Sequence, residues 1–132
     1  MFARLFTLVF LSLGLFACKV PDPYGPVPKA LALKVMVYED VVRWGDLRKV
    51  YAFGKVSKGD KLTIPENLNN VRVTHYEATQ VKELSPWRWG QTANISYVLK
   101  DRQVVKEIID PQIWMSDDEG KSWYRANPVP AF

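Results

Sequence analysis

Apolar residues at Leu31, Val35, Tyr38 and Val42 recur at spacings of four, three and four. That is the repeat of one face of an α-helix. Val41 and Trp44 lie beside the stripe, while Lys34, Glu39 and Arg43 fall elsewhere on the helix. The pattern begins at Ala30, and Gly45 is expected to stop it in the left-handed conformation open to glycine. Asp46 reads as the N-cap of a second, short helix over Leu47–Phe53, which Gly54 ends. Residues 55–70, rich in Ser, Gly, Pro and Asn, read as an irregular connection.

Beyond Asn70 the period shortens to two. Residues 71–84 alternate, but the phase slips: Val71 and Val73 point one way, Tyr76 and Ala78 the other. Such a slip predicts a bulge that bends the sheet. Residues 85–90 form a turn region. Ala93, Ile95, Tyr97 and Leu99 then alternate cleanly with polar residues, as in a half-buried strand. Lys100-Asp101-Arg102 turns the chain into a strand over residues 104–109, expected to end or kink at Pro111, which cannot donate to a ladder. Residues 113–115 and 123–126 are expected to pair across Asp117-Asp118-Glu119-Gly120.

The N-terminus follows another rule. Arg4 precedes an apolar run from Leu5 to Ala17 broken only by Thr7, Ser12 and Gly14. A bilayer needs about 20 apolar residues in a helix, so this run is too short to span one. It has the form of an export signal. Leu15-Phe16-Ala17-Cys18 resembles the lipobox of bacterial lipoproteins, with Phe16 bulkier than the usual residue there. The resemblance implies a diacylglycerol on the Cys18 sulfur, cleavage after Ala17 and acylation of the freed amine. Lys19 stands where an aspartate would resemble an inner-membrane retention signal, which implies the inner leaflet of the outer membrane, facing the periplasm. Pro21, Pro23, Pro26 and Pro28 favour extended polyproline II, a spacer of roughly 30 Å at about 3.1 Å per residue. The expected organisation is a lipoprotein signal peptide (1–17), a lipidated cysteine with a Pro-rich tether (18–29), and one α+β domain (30–132).

Composition narrows the classes. Of 132 residues, 48% are hydrophobic and 13% aromatic, enough for a packed core. The formal charge of +4 includes Arg4, so loss of the signal leaves +3. This excess is scattered without a basic run, which argues against nucleic acid as a partner. With its single cysteine acylated, the chain has no disulfide, and its stability rests on packing.

Val42-Arg43-Trp44-Gly45-Asp46-Leu47, Val73-Thr74-His75-Tyr76-Glu77, and Asp110-Pro111-Gln112-Ile113-Trp114 with Trp123-Tyr124 resemble small bacterial lipoproteins of unassigned function. Those lipoproteins share the cystatin-like, cone-shaped fold of the nuclear transport factor and ketosteroid isomerase superfamily. The likeness covers roughly residues 29–127. It implies an α+β domain with a long and a short helix packed on a bent antiparallel sheet. That superfamily hosts enzymes, binding proteins and transport factors, so fold alone implies no activity.

Candidate chemistry is sparse. His75 is the single histidine and no free thiol would accompany it, so a nucleophilic triad or a metal site has little to stand on. Ketosteroid-isomerase chemistry needs a carboxylate base and hydrogen-bond donors in an apolar cavity. Tyr38, Tyr76 and Tyr97 with Asp40 or Asp110 are the available groups, but their spacing singles none of them out. Ser116, Asp118, Gly120 and Trp123 match the Asp-box pattern, whose physics is that of a polar turn. Trp87-Arg88-Trp89 reads either as an exposed contact loop or as two rings capping an open end of the core. These residues together suggest a non-enzymatic binding or accessory module without cofactor or metal. Its contacts would be membrane lipid through Cys18, plus an envelope protein or a small apolar ligand. The rival reading is a small-molecule enzyme, isomerase or hydrolase in type, using a cavity in the cone.

Overall fold

The computed structural model describes residues 26–132. The signal segment, Cys18 and the first part of the tether lie outside the described residues. Helix α1 (Lys29–Trp44) is followed by two 3₁₀ segments (Leu47–Phe53 and Glu66–Asn70) and five strands. These are β1 (Val71–Ala78), β2 (Lys82–Ser85), β3 (Arg88–Leu99), β4 (Val104–Met115) and β5 (Tyr124–Arg125). They form one antiparallel sheet in the order β1-β3-β4-β5, with β2 pairing onto the start of β3. The α+β architecture is therefore helices packed on an antiparallel sheet.

The expected stripe of α1 is the buried one: Leu31, Val35, Tyr38 and Val42 all enter the core. Tyr38 meets Phe53 and Trp114 edge-to-face, with centroids 5.1 Å and 5.4 Å away. Trp44 is instead 77% exposed and carries the Arg43 guanidinium over its ring. Asp46 caps the first 3₁₀ segment by accepting from the Arg48 amide at 3.0 Å.

Three local expectations are corrected. Gly45 is extended (φ −92°, ψ −167°) rather than left-handed. Space favours glycine there, since a Cβ would lie a tight 3.0 Å from the Val41 Cα and carbonyl oxygen. The connection at residues 55–70 is not wholly irregular, because its end coils into the second 3₁₀ segment. The turn placed at residues 85–90 is tighter, with Pro86 and Trp87 alone joining β2 to β3 and Trp87 at φ 59°.

The bulge is real, and its effect is the reverse of a face change. The register of β1 on β3 shifts between Val73 and His75. The extra residue puts Val71 and Val73 on the same face as Tyr76 and Ala78, opposite Leu99, Tyr97, Ile95 and Ala93. The phase slip in sequence thus keeps one apolar face continuous.

Strand β4 runs through Pro111 rather than ending there. Thr79 donates to the Thr92 carbonyl, so the backbone polar groups of Thr92 point toward β1, and its partner Pro111 faces the opposite edge. A missing N–H at that edge costs no ladder bond. Asn127 satisfies the position, accepting from the Ile113 amide at 2.9 Å and donating to the Pro111 carbonyl.

Candidate functional site

The uninterrupted β4 sets Asp110, Gln112 and Trp114 at alternate positions on the inner face, opposite Ala93, Gln91 and Trp89 of β3. All six residues are buried. Arg125 of β5, also buried, reaches beneath them. Its Nη2 donates to one carboxylate oxygen of Asp110, and its Nη1 donates to the other at 2.9 Å. Nη1 also donates to the Tyr38 hydroxyl at 2.7 Å, Nη2 to the Pro128 carbonyl at 2.9 Å, and Nε to the Asn127 carbonyl at 3.2 Å. All five guanidinium N–H groups thus have acceptors.

Gln112 is equally committed. Its amide nitrogen donates to the Tyr76 hydroxyl at 2.8 Å and to Asp110 at 3.0 Å. Its amide oxygen accepts from Gln91 at 2.8 Å and from the Trp114 indole at 3.3 Å. Burial pushes the Tyr76 hydroxyl up to about 12 and raises that of Tyr38 further, so both are neutral donors or acceptors in the physiological range. No buried side-chain nitrogen or oxygen among the described residues lacks a partner.

The sequence candidates therefore separate. Tyr38, Tyr76 and Asp110 are brought together. Tyr97 is buried farther along β3, edge-to-face with Phe132 at 5.5 Å, and Asp40 is exposed on α1. His75 is exposed beside Glu77, 3.7 Å away. Arg125, Gln112 and Gln91 were not singled out in the sequence. The alternation Asp110, Gln112, Trp114 would have revealed part of the set once the strand was continued through Pro111.

An open cleft of about 620 Å³ lies beside this polar cluster, between α1 and the β1–β2 connection. Val27, Val35, Met36, Val81 and Trp89 supply apolar wall, and Glu39, Lys82 and Glu83 supply charge. Gln91 belongs to both the cleft and the cluster.

The tryptophan loop is divided. Trp89 is 7% exposed in β3, whereas Trp87 is 44% exposed and leans on Trp123 at 6.5 Å. Any contact surface at this loop is made by Trp87 and Arg88, which are exposed. The polar turn beside it has the geometry its residues suggest. The Ser116 hydroxyl donates to Asp118 and accepts from the Gly120 amide, both at 2.8 Å. Asp118 also accepts from the amide and hydroxyl of Ser122. The Ser122 hydroxyl is the main reason its carboxyl is held down at about 2. Gly120 sits at φ 85°, and a Cβ there would lie 2.9 Å from the Trp87 ring.

Among the described residues no helix is long and apolar enough to cross a membrane, and no cluster of three or more His, Cys, Asp or Glu is poised for a metal. Compared with known proteins, the chain matches no family model, no curated protein and no solved structure.

Proposed function

We propose that this chain is a lipid-anchored binding or accessory module of the bacterial envelope, with the α1/β1–β2 cleft as the site for a small apolar ligand. We read its fold as a cystatin-like cone, from the order of long helix, short helix and bulged antiparallel sheet. The anchor rests on Leu15-Phe16-Ala17-Cys18 and the Pro-rich spacer, and Lys19, in place of a retention aspartate, supports the inner leaflet of the outer membrane, facing the periplasm. One observation carries the choice of binding over catalysis. Both carboxylate oxygens of Asp110 are engaged by Arg125 and Gln112, so the carboxylate beside the tyrosines is spoken for, while the neighbouring cleft offers an apolar wall of Val27, Val35, Met36, Val81 and Trp89 beside a charged rim. A general base must reach its substrate's proton, and this one is turned inward. The cleft's size lies within the range of small-molecule sites, roughly 300–1,000 Å³.

The test is titration of the full chain in detergent with N-phenyl-1-naphthylamine, a neutral apolar fluorophore, followed by its fluorescence above that of protein-free detergent and by quenching of the combined emission of the five tryptophans, Trp89 among them. Saturable binding is expected, weakened at least roughly tenfold by Met36→Asp, which charges the apolar wall at a position already 42% exposed. Equal binding by the variant would remove the cleft as the site. Fatty-acid labelling lost on Cys18→Ser is the expected result for the anchor, and labelling retained would defeat it.

A further inference from the structure

The outer half of β4 is an unpaired edge. Strand β5 pairs only with Trp114 and Met115, so no described strand covers β4 from Val104 to Ile113. Antiparallel alternation fixes which backbone groups face outward. Asp110, Ile108, Lys106 and Val104 pair with Ala93, Ile95, Tyr97 and Leu99, whose backbone polar groups point toward β4. Val105, Glu107 and Ile109 therefore turn their N–H and C=O groups to the open edge. The run ends at Pro111, which has no N–H and whose carbonyl is taken by Asn127.

The same three residues project from the outer face of the sheet. Val105 is 68% exposed and Ile109 is 74% exposed. Between them stands the Glu107 carboxylate, exposed and without an ion-pair partner among the described residues. Its cross-strand neighbour is Ser96, flanked by Asn94 and Val98, so its nearest neighbours on β3 are uncharged, with Arg72, His75 and Glu77 of β1 one strand farther across the face. Lys106 projects from the opposite face.

We propose that this edge is a docking site for an extended polypeptide segment of a partner, added to the sheet as a further strand. The segment would carry an apolar, a basic and an apolar residue at alternate positions. Its backbone would meet the free groups of Val105, Glu107 and Ile109, and its basic side chain would oppose Glu107. Charge decides against a second copy of this chain. A two-fold antiparallel pairing that uses all three edge residues sets one copy's Glu107 against the other's, and directly opposed like charges destabilise a sheet. This site is distinct from the cleft and does not depend on it.

The probe is an acetylated, amidated peptide, Thr-Val-Thr-Arg-Thr-Val-Thr, with a control bearing Glu at its centre, each added to the full chain in detergent. The Arg peptide is expected to bind at least roughly tenfold more tightly than the control, since an opposed pair replaces a like-charged one. Glu107→Arg, at an exposed position, is expected to reverse the preference. In the wild-type chain the amides of Val105, Glu107 and Ile109 should gain protection from hydrogen exchange on addition of the Arg peptide, while those of Lys106 and Ile108 stay unchanged. Equal affinity for the two peptides, or a preference that survives Glu107→Arg, would overturn the proposal. A chain that self-associates with those three amides already protected would assign the edge to a second copy instead.

Discussion

The two halves of β4 invert the usual distribution of residue types. From Asp110 onward the inner face holds a carboxylate and an amide in the buried interior, with Arg125 against them. From Val104 to Ile109 the strand is Val-Val-Lys-Glu-Ile-Ile, and most of it is exposed. The difference follows from what covers each half. Tyr38 of α1, Phe53 and the carbonyls of Asn127 and Pro128 close over the first region, and its charges are tolerated because each hydrogen-bonding group has a partner. Nothing among the described elements pairs with the outward edge of the second. A polar interior that is complete is a structural device, whereas an apolar edge left open is a surface with capacity to bind.

The largest expected effect comes from breaking the closed half. Asp110→Ala leaves Arg125 buried without its counter-ion and should cost about 3–5 kcal/mol in urea denaturation. Replacing both partners, Asp110→Leu with Arg125→Met, should recover only part of that loss: no orphaned charge remains, but the Tyr38 hydroxyl, a Gln112 N–H and the carbonyls of Asn127 and Pro128 lose a partner. A single variant as stable as wild type would mean that water reaches the pair.

Next is the polar turn. Gly120→Val should cost about 1–3 kcal/mol, since a β-branched residue is strained at φ 85° and its Cβ would displace the Trp87 ring. An unchanged melting temperature would mean that the turn does not hold residue 120 at positive φ.

Acid should act in a defined window. The folded Asp118 carboxyl sits at about 2 against an ordinary 3.8, so its contribution is complete above 3.8 and is lost as pH falls toward about 2. Asp46 is lowered to a similar value by the Arg48 side chain and acts in the same direction. The urea midpoint should therefore fall across that interval. Asp118→Asn should flatten the fall without abolishing it, and an unaltered slope would remove the turn from the acid response.

The smallest effect belongs to the open half. Ile109→Thr, on the outer face, should change stability by less than about 0.5 kcal/mol, as at other exposed positions. A loss above about 1 kcal/mol would mean that this face is covered in solution.

Much of this division could be read from the sequence where the signal is local. The stripe Leu31, Val35, Tyr38, Val42 and the cap at Asp46 depend on residues within one or two turns, and both form as expected. The polar turn likewise needs only Ser116 to Trp123. Asp110 stood among the candidate carboxylates, but its pairing with Arg125 escaped because it depends on β4 passing through Pro111, and proline normally argues against that. The decisive fact, that Pro111 faces an edge where Asn127 stands in for a strand, lies in the register and in no single segment. The bulge misled in a subtler way. A phase slip in sequence can either turn a strand over or keep it on one face, and only pairing with β3 distinguishes the two.

Native-state hydrogen exchange along β4 tests the contrast most directly. In the free chain the amides of Lys106, Ile108, Asp110, Gln112 and Trp114 should exchange slowly, with Ile113 held by Asn127, while those of Val105, Glu107 and Ile109 exchange near the rate of an unstructured chain. Slow exchange at those three amides would contradict an open edge, and uniformly fast exchange from Asp110 onward would contradict a closed polar interior.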